Sequence, residues 1–329
     1  MDRGKFIQTT SAAAIFASIR MANPALAAGV TLRLGHWVST ESPHHQLAQH
    51  FAEAVAKKTG GAVTISIFPA ELLGPYAKQL QDNAAGTLDF SLPTTTALGA
   101  LNPHASVVGL PYLFHQPANV YAALDGSIGK RIAEPLVAKG VRVLAYSDNG
   151  FRNITNSKHA IEKPSDLAGL KIRIPPSDVS KAIFTALGAS TITLPYGQVY
   201  SALKAGIADG QENPFVNIYT GKFNEVQKHL AVTRHQYEGL ALVAAEKTWS
   251  SFDDKTKAAV QEAATEARDF HRKVFAEFDS SLAGKIKASG VAFTEPAPDA
   301  FRSKVQPVYK EFESVYGADL IAAVRKAAG

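Results

Sequence analysis

The chain has 329 residues, 46% of them hydrophobic, and a net charge of +5. That length is enough to bury a core and to form two domains, and so mild a charge argues against a nucleic-acid partner. The lack of cysteine excludes disulfides, thiolate metal sites, a cysteine nucleophile and a lipid-modified cysteine anchor.

At the N-terminus, Arg3 and Lys5 precede an apolar segment, Ser11 to Ile19, too short to span a bilayer, and Ala25-Leu26-Ala27 has the small residues of a cleavage site. Residues 1–27 therefore read as an export signal cleaved after Ala27, which places the mature chain in the periplasm. Arg20 interrupts the pattern, and Arg3-Gly4-Lys5-Phe6 resembles a twin-arginine signal without its second arginine, so the export route stays open. Asp2, Arg3, Lys5 and Arg20 account for +2 of the charge, leaving +3 for the mature chain. No later apolar run is long enough to span a membrane, and the mature protein is expected to be soluble.

Val30 to Trp37 alternates as a first strand ending at His36. Ser42-Pro43 caps a helix whose apolar stripe is Leu47, Phe51, Ala54 and Val55, closed by Gly60-Gly61. Val63 to Ile67 is a second strand, so the chain opens with the unit of a parallel sheet. A helix from Leu73-Gly74-Pro75, a strand Leu88–Leu92, a helix Ser127–Ala138 and a strand Val141–Tyr146 continue the rhythm. From Gly150 the pattern restarts: strand Phe151–Thr155, strand Lys171–Ile174, helix Ser177–Leu187, strand Thr191–Leu194 and helix Gln198–Ala205. This second block reads as a second domain. Strand Leu240–Val243 then leads to a helical stretch from about Asp254 to Ser289, on the order of 50 Å at 1.5 Å per residue, long enough to run across both domains. Phe301, Val305, Val308, Tyr309 and Phe312 form the apolar face of the C-terminal helices.

In Gly169-Leu170-Lys171-Ile172-Arg173-Ile174-Pro175-Pro176, Ile172 and Ile174 face one side of a strand and Arg173 the other. The prolines stop the ladder. Arg173 thus stands at a strand's carboxyl end, where open α/β proteins bind ligands, and its planar fork suits a carboxylate or phosphate. A structural ion pair with Asp or Glu is the alternative. Ser127-Ile128-Gly129-Lys130, Ser147-Asp148-Asn149 and Lys58-Thr59-Gly60 spell serine β-lactamase fragments, but in the wrong chain order. His36, His44, His45 and His50 lack the spacing of a zinc site. His44, His45 and His50 read as solvated helix residues, and His36 as a ligand contact at a strand end. No nucleophile elbow, dinucleotide fingerprint or phosphate-binding loop is present, so no cofactor and no metal are expected.

Leu73-Gly74, Gly86-Thr87-Leu88-Asp89-Phe90, Leu110 to Phe114, Gly150-Phe151-Arg152, Pro164 to Pro175, Tyr200 to Leu203 and Asp209-Gly210-Gln211-Glu212-Asn213-Pro214 together carry a resemblance. The mature chain resembles the solute-binding subunit of tripartite ATP-independent periplasmic (TRAP) transporters, the DctP family. The resemblance implies a two-lobed α/β periplasmic binding protein fold with hinge strands, a long helix braced across both lobes, and a cleft closing on an organic acid. It implies lobe I from 28–151 plus about 238–275, and lobe II from 152–237 plus about 276–329. It places the carboxylate-reading arginine at Arg173, a second arginine at Arg152 and a cleft asparagine at Asn213. Without ligand both arginines would be buried unpaired, so the empty protein is expected to stay open.

Relatives that bind sugar acids often carry acidic residues after the Leu-Gly pair, where this chain has Pro75-Tyr76-Ala77-Lys78. That departure disfavours a uronic acid and offers Tyr76 and Phe215 as flat surfaces for a less polar or aromatic acid. Tyr196 completes the candidate contacts. The resemblance implies a monomeric, non-enzymatic protein that hands its ligand to large and small membrane permease subunits. A binding protein for an ATP-driven transporter or a sensor, and a hydrolase using Glu212 or Asp148 beside His36, are the alternatives.

Overall fold

A computed structural model describes residues 29–329; the expected export signal lies outside the described residues. The strands are β1 (Val30–Gly35), β2 (Val63–Phe68), β3 (Phe90–Ser91), β4 (Val141–Asn156), β5 (Lys171–Ile174), β6 (Ser190–Thr193), β7 (Gly210–Asn213), β8 (His229–Ala245) and β9 (Ala292–Thr294). The helices of the first half are α1 (Pro43–Lys58), α2 (Tyr76–Ala84), α3 (Thr95–Leu98), α4 (Pro117–Leu124) and α5 (Ser127–Val137). Those of the second half are α6 (Asp178–Ala186), α7 (Val199–Lys204), α8 (Phe215–Thr220), α9 (Glu246–Ser251), α10 (Asp254–Ala288), α11 (Pro298–Tyr316) and α12 (Ala318–Ala328). Among the described residues no helix is long and apolar enough to cross a membrane.

One mixed sheet runs in the order β2-β1-β3-β8-β4-β7-β5-β6, with β9 beside β8. Its spine is the antiparallel pair β4 and β8, which passes from the parallel β1, β2 and β3 at one end to the parallel β5 and β6 at the other. The two strands expected at Val141–Tyr146 and Phe151–Thr155 are therefore one. Ser147-Asp148-Asn149-Gly150 has turn composition, but the partner strand absorbs it as register shifts between Asp148 and Gly150 and between Arg152 and Ile154. Gly150 takes φ +113, and a Cβ there would meet Phe275 and Pro214 at 3.1 and 3.2 Å, so this bend requires glycine.

The long helix forms as expected, with Gly284 inside it and Asp253 Oδ1 accepting from the Thr256 N–H at 2.7 Å as its N-cap. Its first half packs Val260, Ala263, Ala264 and Ala267 against α1, and its second half packs Phe275, Leu282 and Ile286 in the core under α8. Small alanines on the α1 side let the two backbones approach. The C-terminal helices divide: Phe301, Val305, Val308 and Phe312 of α11 are buried, whereas α12 returns to the N-terminal half, with Asn119 donating to Ala328 O at 2.8 Å.

His44 departs from expectation, being buried rather than solvated. Its ring bonds to His271 on α10 at 3.1 Å and to Asn149 on β4 at 3.0 Å, and His271 bonds in turn to Ser147 at 2.6 Å. Proline at the first helical position turns His44 inward, where α1, α10 and β4 meet.

Burial depresses the His44 pKa to about 4 and that of His271 well below the ordinary value. Between pH 6.5 and 4 the unfolded chain then binds protons that the folded chain does not, so stability falls as pH falls through this window. His44 alone is worth about 3 kcal/mol of that acid sensitivity. Urea unfolding at pH 7.5 and 4.5 should show a smaller loss for His44→Gln than for the parent chain.

Candidate functional site

The side chains singled out in the sequence fall into two groups, and Arg173 defines the first. It sits in β5 between β6 and β7, in register with Ile192 and Gln211. Ile172 and Ile174 enter the main core from the opposite face, as the alternation predicts. Its fork closes on one acceptor, with Nε and Nη2 donating to Leu194 O at 3.0 and 2.6 Å. Among the described residues no carboxylate lies within ion-pair distance of it, and 1% of its surface is exposed. Burial, reinforced by Arg152 and opposed by Tyr76 and Glu212, lowers its pKa to about 10.

Arg152 is equally deep, but contrary to expectation it is paired. Its Nε and Nη2 engage the Glu212 carboxylate, Nη1 engages Glu238, and Nη2 also donates to the Glu212 carbonyl at 2.6 Å. Burial works against the charge, yet the two carboxylates outweigh it and hold the guanidinium above its ordinary pKa. The pairing follows from topology: the bulged stretch of β4 lies between β7, which carries Glu212, and β8, which carries Glu238. Glu212 in turn accepts from His235 at 3.3 Å.

Asn213 joins this group through Oδ1, which accepts from Arg152 and from Asn217 at 3.3 Å each, while its amide nitrogen donates to Gln211 at 2.6 Å. One of its four valences stays open. Tyr76 opens α2 with its ring 6.0 Å from Trp37, and its phenol lies in the field of Glu238, Arg173, Arg152 and Glu71, with burial pushing its pKa up. Tyr196 packs edge-on to Trp37 at 4.7 Å and donates to Asn217 O at 2.8 Å. The result is a buried polar centre beside an aromatic wall of Trp37, Tyr76 and Tyr196.

Phe215 and His36 stand apart. Phe215 is one residue past the proline that opens α8; Asn217 bonds to Asn213 and Asn149, whereas Phe215 packs near Phe293 of β9, 6.3 Å away, against an apolar cluster that Tyr196 also borders. His36 is fully buried at the end of β1, bonded to His45 at 2.9 Å, and burial with the neighbouring imidazoles lowers its pKa to about 3. Sequence reasoning missed Trp37, Glu238 and Glu71. An isolated acid in the Gln236-Tyr237-Glu238-Gly239-Leu240 run was the available signal, since a strand buried on both faces keeps a carboxylate only beside a cation. Among the described residues no group of three or more acidic or histidine side chains is arranged to hold a metal ion.

The chain matches the DctP family, bacterial extracellular solute-binding proteins of family 7, over residues 34–315. It is 36% identical over 319 residues to an uncharacterized protein of Sinorhizobium fredii and spans 59% of that longer protein. It is 31% identical over 302 residues to the 2,3-diketo-L-gulonate-binding periplasmic protein YiaO of Escherichia coli, covering 90% of this chain and 92% of that one. A TRAP periplasmic solute-binding protein from Polaromonas sp. JS666, solved bound to D-erythronate, superposes with a TM-score of 0.88 at 31% identity, covering 90% and 98% of the two chains.

The two arginines should respond oppositely to removal of their charge. Arg152→Met leaves Glu212 and Glu238 facing each other without a cation and should cost about 3–5 kcal/mol. Arg173→Met removes a buried cation that has no counter-ion, and should leave urea-unfolding stability unchanged or raised.

Proposed function

The chain belongs to the DctP family of bacterial extracellular solute-binding proteins, and from that membership we propose that it captures a small organic acid anion in the cleft at Arg173 and delivers it to the membrane subunits of a TRAP transporter for ion-coupled uptake. One observation carries the ligand assignment. Arg173 is a buried guanidinium whose protein partner is a single neutral carbonyl, so the anion that completes its charge comes from outside the chain. A carboxylate meets the planar fork through charge-assisted bonds, and removal of water strengthens them. Arg152, already matched by two carboxylates, supplies orientation and a hydrogen-bonding edge rather than net charge. Asn213 contributes its remaining amide N–H, and Trp37, Tyr76 and Tyr196 cover the apolar side of the ligand.

In this reading the lobes divide at the irregular stretch of β4 near Phe151 and at β8 near Tyr237, giving lobe I as 28–151 plus about 238–275 and lobe II as 152–237 plus about 276–329. Helix α12, although in the second segment, packs back on the first. Closure of the lobes is driven by the ligand's greater affinity for the closed form. The protein acts in the periplasm after cleavage near Ala27. It has no catalytic activity in this reading: Glu212 is committed to Arg152 and His235, Asp148 to Tyr121 and Tyr237, and His36 to His45. The TRAP assignment of the Polaromonas structure favours this partner over an ATP-driven transporter or a sensor.

A thermal-shift screen of residues 28–329 against mono- and dicarboxylates, keto acids, aromatic acids and sugar acids tests the reading. Ligand at about 100 times its Kd adds roughly 2.7 kcal/mol and raises Tm by several degrees. The shift should vanish in Arg173→Met. A shift that survives this substitution places the carboxylate elsewhere, and unchanged Tm with every acid overturns the organic-acid reading.

A further inference from the structure

The turn between β2 and α2 holds a carboxylate that the site described above leaves without a role. Ala70 and Glu71 both lie in the left-handed region, at φ 52 and 59, in a turn closed by the Leu72 N–H donating to Pro69 O at 3.0 Å. Side chains bearing a Cβ rarely adopt this conformation, and two in succession are held here by Ala70 N–H to Val38 O at 2.9 Å and Glu71 N–H to His36 O at 3.1 Å. The effect is to project Glu71 over the loop that follows β6. Its Oε2 lies against Gly197, 2.4 Å from where a Cβ would stand, and the Gly197 N–H is the carboxylate's backbone partner.

The other oxygen, Oε1, is buried and has no hydrogen-bond partner among the described residues. Glu71 also lies in the field of Arg173, and the phenols of Tyr76 and Tyr196 both feel its charge. Gly197 lies three residues past Leu194, whose carbonyl holds the Arg173 fork, so the unsatisfied carboxylate oxygen and the guanidinium are carried on the same loop.

We propose that Glu71 is a specificity-determining acceptor of the cleft, selecting monocarboxylates that carry a hydroxyl near the carboxylate over dicarboxylates and 2-oxo acids. The inference rests on the Arg173 reading and narrows it. A hydroxyl donates to Oε1 and satisfies it. A keto oxygen only accepts, and brings two acceptors face to face. A second carboxylate is repelled by Glu71 and finds no spare cation, because Arg152 is already matched by Glu212 and Glu238. This reading takes the place of the aromatic-acid expectation, since the Phe215 ring is engaged with Phe293. The acceptor that is missing after Gly74 is supplied three residues before it.

Calorimetric titration of residues 28–329 with 2-hydroxybutanoate, butanoate, 2-oxobutanoate and succinate, with gluconate as a larger hydroxy acid, tests this in the parent chain, Glu71→Met, Glu71→Gln and Arg173→Met. The hydroxy acids should bind about tenfold to a hundredfold more tightly than the unhydroxylated, keto and dicarboxylic acids, the range of a hydrogen bond to a charged group. Glu71→Met should erase that margin while Arg173-dependent binding of butanoate persists. Glu71→Gln keeps the side-chain shape and can turn an N–H toward the ligand, so it should raise affinity for 2-oxobutanoate. Butanoate or succinate binding as tightly as the hydroxy acids, or a margin that survives in Glu71→Met, overturns the proposal while Arg173-dependent binding keeps the organic-acid reading intact. No binding by any acid overturns both.

Discussion

Arg152 and Arg173 carry the same charge at the same depth, and the difference in how each is compensated organises the cleft. Burying a guanidinium costs several kcal/mol unless a counter-charge and hydrogen bonds repay it. Arg152 is repaid by Glu212 and Glu238, which reach it from the strands on either side. Arg173 has one carbonyl. One cation is thus balanced within the chain and the other is not; on the reading proposed above, the bound anion supplies the missing balance. If both were paired, an anion would have to break an ion pair to enter; if neither were, two like charges would sit together in a low dielectric without compensation.

This arrangement needs strands that pass between the two halves of the molecule without a break. Arg152, Glu238 and Glu212 lie where β4, β8 and β7 run side by side, and the register shifts in β4 fall in the same stretch. A bulge leaves backbone groups out of the ladder and sharpens the local twist. It therefore re-aims the Arg152 side chain and loosens the ladder between β4 and β8 at this point. Helix α10 bridges two core clusters, packing α1 with small alanines and the α8 region with Phe275 and Leu282.

Periodicity and capping chemistry made most of the frame legible in the sequence. The helix beginning at Ser42, the strand carrying Arg173, the helix capped by Ser177 and the whole of α10 were visible because local pattern and tertiary environment agree there. The first half of β8 was not. Thr233, Arg234, His235, Gln236 and Glu238 lack the apolar alternation that marks a strand, and the acid among them is held by a partner far away in the chain, Arg152, 86 residues before Glu238. The same limit applies to the site. Arg173 is identifiable from its own strand, whereas the opposite status of Arg152 depends on acids brought in by register. His44 was misplaced because its neighbours, Asn149 and His271, come from β4 and α10, and no spacing within α1 reveals them.

Those same residues connect the cleft to the brace by hydrogen-bond direction rather than by charge. Asn149 Oδ1 accepts from Asn217 at 2.9 Å and from His44 Nε2 at 3.0 Å, which puts the His44 proton on Nε2. His44 Nδ1 must then accept from His271 Nε2–H, and His271 Nδ1 from the Ser147 hydroxyl. One tautomer of each ring satisfies every link. Asn217 continues the chain to Asn213 and hence to Arg152. Protonating His44 would set two donors against each other at the shared His44–His271 bond, so the network excludes that charged form by geometry as well as by burial, whereas His271 is kept neutral by burial and by the charge it would place beside Arg272. A neutral chain of fixed direction links Arg152 to helix α10 without adding another buried charge to a centre that already holds two guanidiniums and two carboxylates.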